Sequence, residues 1–135
     1  MINPTCMTIE HLAIWTHDLE RLKAFYERYF HARSGEKYIN PVKKFESYFL
    51  SFDNGPRLEI MYMPGIPAHT NDVYRQFTGL IHFAMMTSGK DEVNRLTEEL
   101  RAAGYAVVGE PRTTGDGYYE SVILDPDGNR VEIMA

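Results

Sequence analysis

The chain has 135 residues, 44% of them hydrophobic and 13% aromatic, which suits one compact domain or two very small halves sharing a core. Fourteen basic against nineteen acidic side chains leave a formal charge of -5, and no basic tract is present to neutralise phosphates, so nucleic acid is excluded as a partner. Cys6 is the only cysteine, the start "MINPTCMTIEHLAIW" has no export signal, and no run is long enough to span a bilayer, so a cytoplasmic protein without a membrane role is expected.

In chain order, "IEHLAIWT" (9–16) predicts a strand, and Cys6 ahead of it reads as a small buried side chain. Leu19, Leu22, Tyr26 and Tyr29 then recur at helical spacing from near Asp18 and fade at "HARSG". His17 and Asp18 suit the start of that helix and His31 its end, where positive charge is favoured. Strand-like runs follow at roughly 36–40, 45–52 and 57–63, the last two joined by the turn "DNGP". "PGIPAHTNDVYRQFTG" fits neither periodicity and predicts a linker, with His69 as a surface residue in it. "LIHFAMMT" (80–87) opens the same succession again. Val93, Leu96 and Leu100 form the helical stripe, Ser88 and Asp91 a capping pattern, and Gly104 a stop. Runs at 105–109, 117–124 and 129–134 follow, with "GDG" (115–117) and "DPDGN" (125–129) as turns.

Both halves therefore read strand, helix, strand, strand, strand, an internal repeat with a first module at 1–63, a linker at 64–78 and a second module at 79–135. "RLEIM" (57–61) and "RVEIM" (130–134) close the two copies; His11 to His82 spans 71 residues and Glu59 to Glu132 spans 73, a loop-length difference.

Side chains alternate along strands, so Leu12 and Ile14, Leu58 and Ile60, Phe83 and Met85, and Val131 and Ile133 form the faces that pack on the helices. His11, Glu59, His82 and Glu132 lie on the opposite faces among Ile9, Ala13, Trp15, Met61, Leu80, Ala84, Met86 and Met134. Any one of the four alone reads as a solvated or hydrogen-bonded residue on a wet face. A carboxylate in such an apolar lining, however, costs several kcal/mol or takes up a proton, and two imidazoles with two carboxylates make a ligand set for a borderline divalent metal.

These residues carry a family likeness. Through "EHLAIWTHDLERLKAFYERYF", "GLIHFAM" and "GEPRTTGDGYYESVILDPDGNRVEI" the sequence resembles the vicinal oxygen chelate superfamily, which includes glyoxalase I, extradiol dioxygenases and the fosfomycin and bleomycin resistance proteins. The resemblance implies an α+β fold, two repeated βαβββ modules forming a curved, mostly antiparallel eight-stranded sheet around a metal cleft. It implies one divalent metal per site, with His11, Glu59, His82 and Glu132 as ligands. Zinc, nickel, cobalt, manganese and iron suit two nitrogens and two oxygens nearly equally. It also implies a homodimer, with the two modules of a cleft drawn from one chain or from two.

A cation held by four such ligands has room for two neighbouring oxygens of a small-molecule substrate and stabilises an enediolate. By likeness to glyoxalase I, a lactoylglutathione lyase, Glu132 is the first candidate base and Glu59 the second. Four ligands argue against the oxygenase branch, which uses two His and one carboxylate. Where bacterial glyoxalase I has an arginine and an asparagine toward glutathione, this chain has Trp15 and Met63. Trp15, Met61, Met63 and Met86 either line the cleft for a more apolar substrate or simply fill it. The expectation is thus a glyoxalase-type lyase or isomerase, with a bleomycin-resistance-like binding protein as the alternative and a dioxygenase behind it.

Overall fold

The computed structural model describes residues 4–135. Two compact units make up the chain, one ending at Pro67 and the other running Ala68–Ala135. In the first, β1 (His11–Trp15) leads into α1 (Leu19–Phe30), then β2 (Arg33–Ser34), β3 (Tyr38–Asn40), β4 (Phe45–Ser51) and β5 (Arg57–Tyr62). In the second, β6 (His82–Met86) leads into α2 (Lys90–Ala102), then β7 (Val107–Thr113), β8 (Tyr119–Leu124) and β9 (Arg130–Met134).

The class is α+β, and both units follow the expected strand-helix-strands plan. The strands form a five-stranded sheet, β1-β5-β4-β2 with β3 also on β4, and a four-stranded sheet, β6-β9-β8-β7. Two-residue β2 is the addition to the βαβββ plan. The first and last strands of each unit run parallel, and the other pairs are antiparallel.

Each helix covers one face of its own sheet. Leu19, Leu22, Phe25, Tyr26, Tyr29 and Phe30 of α1 are buried, as are Leu50, Leu58 and Ile60 of the sheet beneath. Val93, Leu96 and Leu100 of α2 are buried with Ile123, Val131 and Ile133. Thr97 and Ser121 share a 2.7 Å hydrogen bond inside that second core, and Thr97 also donates to the Val93 carbonyl, so neither hydroxyl is stranded.

Helix ends follow local chemistry. Asp18 caps α1 by accepting from the Arg21 amide at 3.0 Å. The capping pattern expected at Ser88 and Asp91 is not formed, because Gly89 is the N-cap and makes no side-chain bond. Thr87 is the residue used there: its hydroxyl accepts from the Gly89 amide and donates to the Met134 carbonyl, tying the helix entry to β9. Gly104, at φ +94, ends α2 as expected, with Tyr105 N–H on the Leu100 carbonyl and Gly104 N–H on that of Arg101.

Two further expectations need correction. Cys6 is exposed, since residues 4–10 all lie on the surface ahead of β1. The run expected at 105–109 starts later and extends to Thr113, passing Pro111. An edge strand with an irregular register toward β8 tolerates that proline, whose missing N–H takes nothing from a central ladder. Among the described residues no helix is long and apolar enough to cross a membrane.

Ile60 and Ile133 occupy equivalent positions and are fully buried. Truncating either to Ala is expected to destabilise its unit by about 2–5 kcal/mol, read as a lowered midpoint in urea unfolding.

Candidate functional site

The polar residues singled out in the sequence are set by two parallel ladders in identical register. In the first unit His11 pairs with Arg57 and Ala13 with Glu59. In the second His82 pairs with Arg130 and Ala84 with Glu132. Each His and Glu are therefore diagonal neighbours on the face that the helix leaves open. His11 Nε2 lies 3.7 Å from Glu59 Oε1, and His82 Nε2 lies 2.9 Å from Glu132 Oε2. The carboxylates are the deeper partners, with side chains 17% and 13% exposed against 40% and 38% for the imidazoles.

The two pairs have different surroundings. In the first unit Phe49, the ladder partner of Glu59, stands edge-on to the His11 ring at 5.4 Å and lies under the Arg57 guanidinium at 4.1 Å. Glu10 accepts from Arg57 through both oxygens and meets His11 Nδ1 at 3.0 Å. These contacts hold the Glu10 carboxyl below its usual range, Arg57 being the main cause and His11 the next.

In the second unit Val122 pairs with Glu132, which puts Glu120 on the same face two residues away. The Glu132 carboxyl is pushed up to about 7, first by burial, then by the hydrogen bond and charge of Glu120 and the charge of Asp116, against the lowering effect of Arg112. Arg130 is turned the other way. Its guanidinium donates to the carbonyls of Val73, Asp72 and Arg75 and lies over the Phe77 ring at 5.7 Å, so it holds the stretch 72–77 to the start of β9.

Of the residues expected to line a substrate, Trp15 and Met61 sit opposite one another in the β1–β5 ladder. Trp15 meets Phe45 edge-on at 6.0 Å, and Phe45 meets Tyr38 at 6.0 Å, an aromatic row on the His11 face. Met63 follows the last residue of β5 and is half-buried, while Met86 ends β6 and is exposed. Glu10, Phe45, Phe49, Arg112 and Glu120 are the neighbours that sequence reading missed. Strand parity would have raised Glu120 and Phe49, each two residues or one pair from a chosen Glu, once the antiparallel partners were known. Within neither unit do three or more His, Cys, Asp or Glu side chains gather to hold a metal, among the described residues. His17, His31 and His69 belong to structure: His17 meets the Ile66 carbonyl, His31 is the left-handed C-cap of α1, and His69 meets the Asp127 carbonyl at 3.2 Å.

This fold and paired-strand geometry agree with sequence comparison. The chain belongs to the Glyoxalase/Bleomycin resistance protein/Dioxygenase superfamily, which it matches over residues 8–133. It is 37% identical over 67 residues to the uncharacterised protein YqjT of Bacillus subtilis, a match covering 47% of this chain and about half, 52%, of that protein. It is 28% identical over 132 residues to the lactoylglutathione lyase of Haemophilus influenzae, covering 95% of this chain and 92% of that one. Similar solved structures include a glyoxylase/bleomycin resistance protein/dioxygenase domain from Frankia sp. EAN1pec (TM-score 0.78, 16% identity, 96% and 98% of the two chains covered). Another is glyoxalase I from Zea mays (TM-score 0.76, 25% identity), where the match covers 94% of this chain and 44% of that one. The family contains both enzymes and resistance proteins, so membership alone leaves the activity to be argued from the site.

A carboxyl whose value in the folded protein lies above its ordinary 4.5 favours folding while protonated. In metal-free protein the contribution of Glu132 is therefore full below that ordinary value and lost as pH rises through about 7. Denaturant unfolding across this window should show falling stability, and Glu132→Gln should flatten the fall.

Proposed function

We propose that the chain is a metal-dependent lyase or isomerase of the glyoxalase type, acting on a small molecule with two adjacent oxygens. The observation that supports this most is the repeated register, which sets an imidazole nitrogen beside a carboxylate oxygen on the open face of each unit. The donor chemistry fits a divalent cation. His11, Glu59, His82 and Glu132 would hold one ion, with zinc, nickel, cobalt, manganese and iron all compatible with two nitrogens and two oxygens. The modules 1–63 and 79–135, joined by 64–78, supply two ligands each, from one chain or from the two chains of a homodimer.

When bound, the cation supplies Lewis acidity toward a carbonyl and its neighbouring hydroxyl. The protein's own part is proton movement. Glu132 takes the proton from the carbon bearing the hydroxyl and returns it to the adjacent carbon, with Glu59 as the second carboxylate able to do so. Both carboxylates sit deeper than their histidines, which limits competing water. Trp15, Met61, Met63 and Met86 form the apolar lining, and their character favours a less polar handle than an anionic tripeptide. Capture of a flat molecule without chemistry is the alternative, and the aromatic row of Trp15, Phe45 and Tyr38, exposed at Trp15 and Tyr38, is the observation in its favour.

Metal analysis of the purified protein, with an isomerisation assay on methylglyoxal in the presence and absence of glutathione, tests the proposal. One divalent ion per four-ligand site is expected, and Glu132→Gln should lower the rate about 10²–10⁴-fold. Protein that binds no divalent ion and is indifferent to Glu132→Gln is a binding protein instead.

A further inference from the structure

Glu10 immediately precedes β1, and its carboxylate is held in a fixed place. Arg57 Nη2 donates to Oε1 at 2.6 Å and Arg57 Nε to Oε2 at 3.1 Å, a two-point grip that a guanidinium makes well. Arg57 is itself fixed, by stacking on Phe49 at 4.1 Å and by its backbone N–H on the Glu10 carbonyl at 2.9 Å. The same Glu10 Oε1 faces His11 Nδ1 at 3.0 Å.

A carboxylate only accepts, so the ring nitrogen that meets it carries the hydrogen. That leaves the lone pair of a neutral His11 on Nε2, which looks toward Glu59 Oε1 across 3.7 Å, beyond hydrogen-bonding distance. Two acceptor atoms facing each other at that spacing are complementary to a cation. A metal-binding imidazole commonly has its other N–H held in this manner, which sets the tautomer and the ring angle.

The second unit lacks this arrangement, although its register is the same. Ile81 stands where Glu10 does, and Arg130, the counterpart of Arg57, is committed to the carbonyls of Asp72, Val73 and Arg75. The duplicated arginine thus serves a ligand in one unit and a connecting stretch in the other.

We infer that Glu10, gripped by Arg57, is a positioning residue for His11: it fixes the Nδ1–H tautomer and presents Nε2 to the cation proposed above, on which reading the inference rests. The first unit is then the pre-set half of the ligand set, and the second completes it.

The test compares wild type with Glu10→Leu and Glu10→Gln by three measurements. These are zinc affinity in competition with a chromophoric chelator, nitrogen-15 NMR of the His11 ring in metal-free protein (assigned with His11→Ala), and the thermal midpoint. Because the Glu10 side chain is 61% exposed, the midpoint should stay unchanged. Glu10→Leu should weaken zinc about 10–100-fold and shift the His11 signals from the Nδ1–H toward the Nε2–H pattern. Glu10→Gln, whose amide oxygen still accepts from Nδ1–H, should recover most of both. A Leu variant with wild-type zinc affinity, or one that weakens zinc with the His11 signals unmoved, overturns the inference and leaves the four-ligand reading standing. Wild-type protein that takes up no zinc, or does so indifferently to His11→Ala and Glu132→Gln, overturns both.

Discussion

Each candidate His–Glu pair depends on a parallel ladder of five residue pairs, laid down once in each unit. His11 opposite Arg57 and His82 opposite Arg130 fix everything that follows along the strands. With that register, Glu59 and Glu132 come up two residues later on the same face as the histidines, while Leu58, Ile60, Val131 and Ile133 go under the helices. Slippage by one residue would exchange the faces, burying both carboxylates in the cores and exposing four aliphatic side chains. The aliphatic positions are wholly or almost wholly buried, so the hydrophobic energy of each core is what holds the polar face in alignment. Core packing and candidate chemistry are thus two faces of the same strands.

Duplication of the backbone did not duplicate the environment. His11 is held from behind by Glu10, and its separation from Glu59 is too long for a hydrogen bond. His82 meets Glu132 directly at 2.9 Å, and there the acidic neighbour crowds the carboxylate from across a hairpin, through Glu120. The first pair therefore has its imidazole organised, the second its carboxylate perturbed. The two open faces thus differ in kind, one with a fixed imidazole and the other with an excess of negative charge.

Much of this is legible in sequence because alternation and helical spacing are local. The stripes Leu19, Leu22, Tyr26, Tyr29 and Val93, Leu96, Leu100 all prove buried, and the open-face residues of β1, β5, β6 and β9 fall where parity puts them. What is not legible depends on contacts between distant segments. Glu120 becomes a neighbour of Glu132 only through the β8–β9 register. Ser88 has the residue type for a cap, but Thr87 is the residue that can reach both the helix entry and β9. The stretch 72–77 has no periodicity to read, since what holds it is a side chain donating to its carbonyls, which any sequence offers. Exposure of Cys6 follows from the path of 4–10 along the surface, which composition does not encode.

The choice between catalysis and simple capture turns on how the open-face carboxylates are neutralised. A flat ligand seated over either open face offers the carboxylate there no countercharge and would desolvate it at a cost of several kcal/mol. A proton can neutralise Glu132 near neutrality, as its raised value shows, and the imidazole beside it then contributes only a hydrogen bond. A divalent ion would take both an imidazole lone pair and the charge of the carboxylate beside it. The aromatic row of Trp15, Phe45 and Tyr38 would receive an apolar group equally well under either function. The proposed metal-dependent activity rests on the pairing of each half-buried acid with a histidine, repeated at the same register.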